Sequence, residues 1–313
     1  MNTSLESKTE ILHQRAQMLS KVRAFFSDRK ILEVDTPILS HTAPIDTHIE
    51  VMAIQNNQGY LHTSPEYAMK RLLSAGIGDI YQLSHVFRAE EAGRLHNPEF
   101  TMIEWYRIGV PFQFLIDETL QLIQLFLGNI PIHIYTYSQA FIKFVGIDHK
   151  TATPSDLKQI AEQNNLPLPS DAGTWDKDSF LHFLMAFLIE PQFAGLNIIQ
   201  DFPSTQAALA KICQVGDELV AERFEVYYNG IELANGFHEL TDPVEQRQRF
   251  VKANLERQKL GKEILPLDEN FLSALEQGLP DSCGVAVGFD RLLMLQLNKN
   301  SLAEILPFSW DNI

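Results

Sequence analysis

Residues 81–107 read YQLSHVFRAEEAGRLHNPEFTMIEWYR, and this stretch contains two runs with the composition of β-strands. A polar connection that includes a glycine, residues 91–98, separates the two runs, which is the pattern of an antiparallel hairpin with a long loop. Because side chains along a strand alternate between its faces, Arg88 and Glu90 are expected to point the same way. The stretch therefore predicts a hairpin that carries charged side chains on one face.

The returning strand of this hairpin predicts a ligand platform. One of its faces carries Phe100, Met102, Glu104 and Tyr106, and the residues between them take the other face. At about 3.3 Å per residue this face is roughly 20 Å long, which is enough for a nucleotide and a small amine-bearing molecule laid end to end. An aromatic ring suits a purine, an arginine fork suits a phosphate, and a Glu/Tyr pair suits an ammonium group. The platform is therefore expected to have two ends with different chemistry.

Taken alone, the Arg-x-Glu pattern of Arg88 and Glu90 favours an ion pair on an exposed sheet, because short motifs match by chance. The longer pattern, Phe-Arg-x-Glu at residues 87–90 followed by His-Asn-Pro-Glu-Phe at residues 96–100, resembles motif 2 of the class II aminoacyl-tRNA synthetases in its lysyl form. The resemblance covers many consecutive positions, and it favours a binding role for the platform.

Composition indicates an ordinary globular protein. The chain has 313 residues, of which 45% are hydrophobic and 21% are charged, so it can bury a large core. It has no apolar run of transmembrane length, and its polar N-terminus lacks the apolar segment of a signal peptide, so we expect a cytoplasmic protein. Cys213 and Cys283 lack metal-ligand spacing and are most simply two reduced thiols.

The charge balance argues against binding to nucleic acid. The chain has 25 Lys and Arg residues against 40 Asp and Glu residues, which gives a formal net charge of −15. A protein that binds nucleic acid by neutralising phosphates normally has the opposite balance. The acidic excess favours cationic small molecules and metal ions as partners.

Apolar periodicity and turn residues predict the other elements. They are a helix at 7–28, a strand at 30–39 closed by a proline, a strand entering a turn at 59–66, a short helix at 67–74, helices at 112–127, 179–189, 204–212, 243–260 and 268–277, a short strand at 196–199, and a strand followed by a helix from residue 281. The strand at 30–39 fits an edge strand, and it also resembles motif 1, which lies at the dimer interface of class II synthetases. Glu66 lies in the first turn of its helix, where an acid complements the helix dipole.

Residues 222–240, ERFEVYYNGIELANGFHEL, are the second informative stretch. Asn229-Gly230 between two β-prone runs predicts a hairpin with a type I′ turn. Glu232 and Glu239 are seven residues apart, so a regular strand would aim them at opposite faces, and a bulge at residues 235–236 would bring both to one side. These acids fit a strand surface, and they also fit Mg²⁺, which takes one or two carboxylates beside a triphosphate. The stretch resembles the metal-binding segment of the synthetases, which favours the metal.

Residues 281–295 resemble motif 3 and contain small residues where a ligand must approach the backbone. Ala286 stands where lysyl-tRNA synthetases have glycine. Its methyl group takes volume from the pocket floor, and Ser64 adds a hydroxyl near the amino group. These two changes are expected to shift the fit of an amine-bearing substrate by about one methyl group.

All three class II motifs occur in order, from about residue 15 to residue 310. The resemblance implies an α+β fold, with a class II aminoacyl-tRNA synthetase-like antiparallel sheet flanked by helices. We expect residues 1–313 to form a single catalytic domain with a mostly helical, family-specific region at about 130–200. A lysyl-tRNA synthetase carries an N-terminal OB-fold domain that reads the anticodon, whereas motif 1 begins at about residue 30 here. The chain is therefore expected to be a free-standing catalytic core.

In its motif details the chain resembles the elongation factor P (R)-β-lysine ligases. These enzymes adenylate β-lysine with ATP and transfer it to a lysine side chain of the translation factor. The resemblance implies ATP and Mg²⁺ as cofactors, (R)-β-lysine or lysine as substrate and elongation factor P as protein acceptor. It further implies no tRNA, no membrane, and a homodimer formed through the motif 1 region. The alternatives are a minimal lysyl-tRNA synthetase and a non-catalytic synthetase-like accessory protein.

The same resemblance implies roles for individual residues. Arg88 and Arg291 are the expected catalytic residues, with Arg88 on the α-phosphate. Phe100 and Arg291 are expected to stack on adenine, which Glu90 and Asn97 would read. The nucleotide-binding set is Arg88, Ala89, Glu90, Asn97, Phe100, Glu232, Leu233, Gly288 and Arg291. The substrate-binding set is Ser64, Pro65, Glu66, Glu104, Tyr106, Asn235, Glu239 and Ala286. Glu232 and Glu239 are the expected metal ligands.

Overall fold

The computed structural model describes residues 8–313. The α-helices in this range are α1 (Thr9–Asp28), α2 (Glu66–Ser74), α3 (Phe112–Leu127), α4 (Tyr137–Ala140), α5 (Pro154–Gln163), α6 (Lys177–Leu184), α7 (Pro243–Lys259), α8 (Glu269–Gly278) and α9 (Phe289–Gln296). The strands are β1 (Leu32–Glu33), β2 (Leu39–Ser40), β3 (Met52–Ile54), β4 (Gly59–Leu61), β5 (Ile80–Phe87), β6 (Glu99–Ile108), β7 (Ile132–Thr136), β8 (Leu196–Pro203), β9 (Ile212–Val215), β10 (Glu218–Tyr228), β11 (Ile231–His238) and β12 (Ser282–Gly288).

The described chain divides into two compact units. Unit 1 combines the chain up to Asn129 with His238–Ile313, and unit 2 is Ile130–Phe237. The expectation of one catalytic domain over the whole chain, with a family-specific region at about 130–200, stays a prediction.

The main sheet of unit 1 has the strand order β1-β5-β6-β12. β1 runs parallel to β5, while β5 with β6 and β6 with β12 are antiparallel pairs. A second sheet has the order β2-β4-β3 and is antiparallel. The hairpin predicted from residues 81–107 is therefore confirmed as β5 and β6, and so is the mixed fold with a mostly antiparallel sheet and flanking helices.

Helices α1 and α3 cover one face of the hairpin. Phe26 of α1 stacks on Tyr81 with ring centroids 4.2 Å apart and meets the edge of Trp105 at 5.3 Å. Trp105 is completely buried, and its indole N–H donates to Glu118 of α3 at 3.0 Å. Burying two large rings and satisfying the indole N–H anchors this face of the sheet. The opposite face of the same strands is left for the platform.

Unit 2 contains a sheet with the order β11-β10-β8-β7, and β9 pairs with the first half of β10. Its core is apolar and includes Tyr137, Phe141 and Leu184. At the turn between β10 and β11, Asn229 and Gly230 have φ values of 48° and 77°. Two successive positive φ angles are what a type I′ turn requires, so the predicted hairpin is confirmed.

Most predicted elements are confirmed with small changes at their ends. The helices predicted at 67–74, 112–127, 243–260 and 268–277 are α2, α3, α7 and α8, and the strand and helix predicted from residue 281 are β12 and α9. The helix predicted at 7–28 is α1, and residue 7 lies outside the described residues. The helix predicted at 179–189 is α6 followed by a π-helical turn, Met185–Ile189, and the strand predicted at 196–199 extends to Pro203 as β8.

Two predicted elements are wrong. The strand predicted at 30–39 is two short strands in different sheets, β1 and β2, because the N–H of Thr36 donates to the side chain of Gln82 and the following proline has no N–H. The helix predicted at 204–212 is a 3₁₀ turn, Ser204–Gln206, followed by β9. There, pairing of β9 with β10 overrides the local helical pattern.

Across residues 8–313, no helix combines the length and the apolar character needed to cross a membrane.

Candidate active site

The platform is built from rows of residues across β5, β6 and β12. Direct partners in antiparallel pairs carry their side chains on the same face of the sheet. The rows are Ile80, Tyr106 and Gly284; Gln82, Glu104 and Ala286; and Ser84, Met102 and Gly288. Phe100 is partnered by Val86 one row further. The predicted face is therefore confirmed, and β12 brings its small residues to that same face.

Glu104 lies at the centre of the amino-acid end of the platform, and its residue is 2% exposed. The hydroxyl groups of Ser64 and Tyr106 donate to its two carboxylate oxygens, each at 2.7 Å. Ser64 also accepts from the backbone N–H of Glu66 at 3.0 Å, at the start of α2, where Pro65 precedes the helix. Within residues 8–313 no basic side chain forms an ion pair with Glu104. Four predicted substrate-binding residues therefore lie close together: Ser64, Glu66, Glu104 and Tyr106.

A buried lysine that sequence analysis missed completes this cluster. The ammonium group of Lys70 lies 2.6 Å from Glu66 and 2.6 Å from Glu239, and the Lys70 side chain is 1% exposed. Its sequence signal was present, because Lys70 lies one helical turn after Glu66 on the face of α2 that also buries Tyr67 and Leu73. The cluster therefore contains three carboxyl groups and one ammonium group.

Burial shifts the pKa values in this cluster. Burial, followed by the charge of Glu66, raises the pKa of Glu104 to about 7. Burial also raises the pKa of Glu239, although Lys70 opposes the shift. For Lys70, burial works to lower the pKa, and the carboxylates of Glu239 and Glu66 outweigh it, so the pKa is raised. Lys70 is therefore held in its charged form, while Glu104 is a buried acid without a cation partner in the described chain.

Gly284 lets the cluster close. A Cβ atom at this position would overlap the ring of Tyr106 and the carboxylate of Glu239. In the next row Ala286, which is partly exposed, lies beside Glu104. The two small residues of β12 therefore differ, because position 284 has no room for a methyl group and position 286 presents one to the platform.

Arg88 and Phe100 lie together at the nucleotide end. The Arg88 guanidinium lies 5.1 Å from the centroid of the Phe100 ring and 3.7 Å from Glu91. Its buried Nε has no hydrogen-bond partner within residues 8–313. β5 ends at Phe87, and Glu90 adopts a left-handed backbone with φ of 64°. The expected strand alternation from Arg88 to Glu90 is therefore wrong, because the chain has left the strand. The backbone N–H of Ala89, just before Glu90, donates to the backbone carbonyl of Glu50.

Asn97 and Arg291 also lie at the nucleotide end of the platform, where both form hydrogen bonds to other parts of the chain. The Asn97 amide donates to the carbonyl of Glu99 at 2.7 Å and accepts from the N–H of Trp310 at 2.9 Å. Arg291 donates to the carbonyl of Leu95 at 3.2 Å, and a second guanidinium nitrogen lies 2.8 Å from Nε2 of His96. Burial, and then Arg291, lower the pKa of His96, which favours the neutral ring that can accept this hydrogen bond.

Gly288 is not required by packing within the described chain. A Cβ atom there would meet nothing closer than Cδ of Arg291 at 3.8 Å, an ordinary contact, and the φ of Gly288 is −75°. The space over Gly288 is therefore available to a ligand.

The predicted residues of unit 2 lie on β11. The pairing of β10 with β11 shifts between Val226 and Tyr227, so Leu233 is the extra residue of a bulge. A bulge between Glu232 and Glu239 is thus present, but its predicted place at residues 235–236 is wrong, because both residues pair regularly with β10. Leu233 is the extra residue because Tyr227 pairs with Glu232, whereas Val226, the residue before it, pairs with Ala234. Asn235 has a buried side-chain oxygen that lacks a hydrogen-bond partner within residues 8–313.

Glu225 is a further acid that sequence analysis missed. It is 7% exposed, accepts a hydrogen bond from Tyr227 and contacts Arg223. Glu232 pairs directly with Tyr227, and Glu225 lies two residues before Tyr227 on the same strand, so Glu225 and Glu232 share a face of the hairpin. The Asn-Gly turn was the signal, because it sets the register that brings these two acids to one side.

No cluster of three or more His, Cys, Asp or Glu side chains suited to a metal ion occurs in residues 8–313. Mg²⁺ needs fewer protein ligands when phosphate oxygens and water complete its shell. Carboxylates of the stretch 222–240 have the ligand chemistry that this ion takes. The predicted metal pair, Glu232 and Glu239, stays a prediction, and Glu239 already has Lys70 as a partner.

A family model described as tRNA synthetases class II (D, K and N) matches residues 1–312. The chain belongs to this family. The class II motifs identified in the sequence thus form part of a match over nearly the whole chain, and the mixed fold with its large, mostly antiparallel sheet agrees with it.

Among class II synthetase relatives, several carry the name "Elongation factor P--(R)-beta-lysine ligase". The one from Edwardsiella ictaluri (strain 93-146) is 47% identical over 310 residues, which is 96% of this chain and 95% of the relative. The one from Haemophilus influenzae (strain ATCC 51907 / DSM 11121 / KW20 / Rd) is 44% identical over 309 residues, 96% of this chain and 94% of the relative. The one from Salmonella typhi is 45% identical over 310 residues, 96% and 95% of the two chains.

The steric fit at Gly284 gives the first prediction. Gly284→Ala should raise the KM for the amino acid about tenfold or more, because the added methyl group displaces Tyr106 and Glu239 and overpacking costs roughly 1–3 kcal/mol. The measurement is amino-acid-dependent ATP–pyrophosphate exchange. Gly173→Ala is the matched control, since a Cβ atom there meets nothing within 4 Å. Equal KM values for the two variants would contradict the steric role.

The buried acid Glu104 gives the second prediction. Its pKa is raised from 4.5 to about 7 in the folded state, so between these values the folded chain binds more protons than the unfolded chain, and stability falls as the pH rises. Glu104→Gln cannot titrate. The free energy of unfolding of this variant, relative to wild type, should therefore increase by on the order of 1–3 kcal/mol from about pH 5 to about pH 8.

Urea titrations at both pH values measure this difference. Glu276→Gln, at an exposed position of α8, serves as the control and should show no comparable trend. A difference between Glu104→Gln and wild type that stays constant with pH would show that Glu104 is ionised in the folded protein throughout this range.

Proposed function

We propose that this chain activates (R)-β-lysine with ATP and transfers it to a lysine side chain of translation elongation factor P. Support comes from the family match and from relatives named as elongation factor P (R)-β-lysine ligases, which align with this chain over at least 94% of their own length. The chemistry of the amino-acid end of the platform supports it independently.

The observation that carries the proposal is the charge of the pocket. Glu66, Glu104 and Glu239 supply three carboxyl groups, and Lys70 neutralises one charge. When all three carboxyl groups are ionised, two acidic charges remain without a partner in a buried setting, and burial raises the pKa values of Glu104 and Glu239 because such charges are costly. β-Lysine carries two ammonium groups, so it can complete the balance, with Tyr106 and Ser64 orienting Glu104 towards one of them. A pocket of this charge suits a diamino acid and disfavours amino acids with a single amine.

Arg88 is the residue that we assign to the activation step. A carboxylate oxygen of the substrate attacks the α-phosphorus of ATP, a P–O bond forms, and the bond to the leaving pyrophosphate breaks. The unpartnered Nε of Arg88 offers a donor to the α-phosphate, on which negative charge grows in the transition state. Phe100 offers its ring to adenine, and Gly288 leaves space for the nucleotide against the backbone. Arg291, Glu90 and Asn97 keep their proposed adenine contacts.

The transfer step requires no general base from the chain. The amine of the acceptor lysine attacks the carbonyl carbon of the adenylate, an amide bond forms, and AMP leaves with the electrons of the C–O bond. The amine can lose its proton to solvent late in the step. Catalysis then depends on positioning of the two reacting groups, which the buried cluster and Arg88 supply.

Mg²⁺, when bound with ATP, neutralises phosphate charge. We infer that carboxylates of the stretch 222–240 hold it, and two pairs compete: Glu232 with Glu239, as the sequence suggests, and Glu225 with Glu232, as the hairpin register suggests. Neither pair is free of other contacts, because Glu239 is buried against Lys70, and Glu225 contacts Arg223 and accepts a hydrogen bond from Tyr227. Leu233 keeps its proposed role in nucleotide binding, and Asn235 keeps its proposed role in substrate binding.

We further infer a protein acceptor rather than tRNA, because a net charge of −15 opposes a long polyanion.

We also infer a homodimer through the motif 1 region. It is supported by three apolar residues there that are 41–51% exposed, namely Leu32, Ile38 and Leu39. Because the proposed acceptor is a translation factor, we propose that the protein acts in the cytoplasm.

One experiment tests the whole proposal. The protein is incubated with ATP, (R)-β-lysine and either elongation factor P or bulk tRNA, and the factor is weighed by mass spectrometry. We expect a mass increase of one β-lysyl group on the factor and no charged tRNA. Charged tRNA with an unmodified factor would indicate a minimal lysyl-tRNA synthetase, and absence of any ATP turnover would indicate an accessory protein.

The metal pair gives the third prediction. If Glu225 and Glu232 hold Mg²⁺, then Glu225→Gln should raise the Mg²⁺ concentration for half-maximal pyrophosphate exchange about tenfold or more, by removal of a charged ligand. Glu239→Gln, measured in parallel, should chiefly raise the KM for β-lysine. The opposite pattern would restore Glu232 and Glu239 as the pair.

Ala286 gives the fourth prediction. Ala286→Gly removes the methyl group beside Glu104 and should improve kcat/KM for α-lysine relative to β-lysine, since one methyl-sized change of fit is worth about ten- to two-hundred-fold in specificity. Pyrophosphate exchange with both substrates measures the ratio. Ala221→Gly, the same change in strand β10 of unit 2, is the control for loosening a strand. An unchanged ratio would mean that selection between the two amino acids is made elsewhere.

A further inference from the structure

The C-terminal part of the chain contacts the loop between β5 and β6 at four consecutive residues. The hydrogen bonds join Arg94 to Leu302 at 2.9 Å and to Asn300 at 3.1 Å, Leu95 to Arg291 at 3.2 Å, His96 to Arg291 at 2.8 Å, and Asn97 to Trp310 at 2.9 Å. This loop, residues 91–98, lies between the Arg88 and Phe100 that we assign to ATP. The C-terminal segment therefore reaches the nucleotide end of the platform through the loop.

The contact at Asn97 is the most constrained of the four. Asn97 is 9% exposed, and both ends of its amide are engaged. Its nitrogen donates to the carbonyl of Glu99, the first residue of β6, and its oxygen accepts from the backbone N–H of Trp310. The amide thus connects the start of β6 to the C-terminal segment. A partly buried amide whose donor and acceptor are both satisfied holds its rotamer, and the loss of one partner leaves a polar atom unsatisfied.

We propose that Trp310 is a positioning residue for the nucleotide: its backbone N–H, acting through Asn97, holds the 91–98 loop in the arrangement that binds ATP. The inference rests on the proposed function, because it concerns the ATP that this function requires. A loop that is already ordered loses less conformational freedom when its ligand binds, so the hydrogen bond strengthens ATP binding without touching ATP. The proposal concerns the backbone N–H and not the side chain of Trp310, a residue that is 60% exposed.

The local backbone allows this N–H to be removed selectively. Trp310 is the first residue of the short 3₁₀ helix Trp310–Asn312, and Ser309 before it is extended, with φ of −90° and ψ of 161°. Proline is tolerated at the first position of a helix and favours an extended residue before it. The cap of this helix joins Ser309 and Asn312 and does not use the N–H of residue 310. Trp310→Pro therefore deletes one donor from a backbone that already suits proline.

The test compares Trp310→Pro with Trp310→Ala, because both lack the indole ring and only the alanine variant keeps the N–H. The KM for ATP in pyrophosphate exchange should be about five- to tenfold higher for the proline variant, the effect expected when a buried acceptor loses its partner. The KM for β-lysine should agree between the two variants. A KM for ATP that is equal in both overturns the proposal.

Hydrogen exchange provides a readout that does not depend on catalysis. Amides of residues 91–98 should exchange faster in Trp310→Pro than in Trp310→Ala, and equal exchange would again overturn the proposal. Faster exchange in a protein whose wild type shows no ATP turnover would support the connection to the loop and refute the proposed function. If Trp310→Pro does not fold, deletion of residues 310–313 removes the same donor, and its KM for ATP is compared with that of Trp310→Ala by the same criterion.

Discussion

The ion pairs of Lys70 are the interaction on which the amino-acid end of the platform depends. An ammonium group that is 2.6 Å from two carboxylates and almost fully buried is costly to desolvate, and its partners must be fixed to offset that cost. Lys70 thereby holds Glu66 of α2 and Glu239, which follows β11, at fixed positions relative to the helix. Glu104 lies beside them and accepts hydrogen bonds from two hydroxyl groups, those of Ser64 and Tyr106. A cationic group of the substrate can therefore form the ion pair that Glu104 lacks within the described residues.

The sequence allowed the platform to be predicted because strand alternation needs no tertiary information. Phe100, Met102, Glu104 and Tyr106 share a face as expected, and β12 adds Gly284, Ala286 and Gly288 to it. Alternation failed at Glu90, where β5 has ended and the backbone turns left-handed. The single strand predicted at residues 30–39 was wrong, because the N–H of Thr36 donates to the side chain of Gln82, which lies far along the chain. Such long-range hydrogen bonds leave no local pattern.

Sequence analysis did not single out Lys70 or Glu225, for different reasons. The spacing of Lys70 from Tyr67 and Leu73 puts it on the buried face of α2, but only the packing of α2 shows that its ammonium group faces two acids. Glu225 could have been found, because the predicted type I′ turn at Asn229-Gly230 sets a register that places it on the face of Glu232. The bulge was predicted at residues 235–236, whereas the structure has it at Leu233. Side-chain size alone was a poor guide to the place of the irregularity.

The neighbouring rows of Gly284 and Ala286 have a consequence for how this pocket can change during evolution or design. Position 284 tolerates no side chain, because a Cβ atom there overlaps Tyr106 and Glu239. Position 286, one row along the same strand, is partly exposed and faces Glu104. Of these two positions only 286 can vary in size, so a combinatorial library for new substrates should keep glycine at 284 and sample small residues at 286.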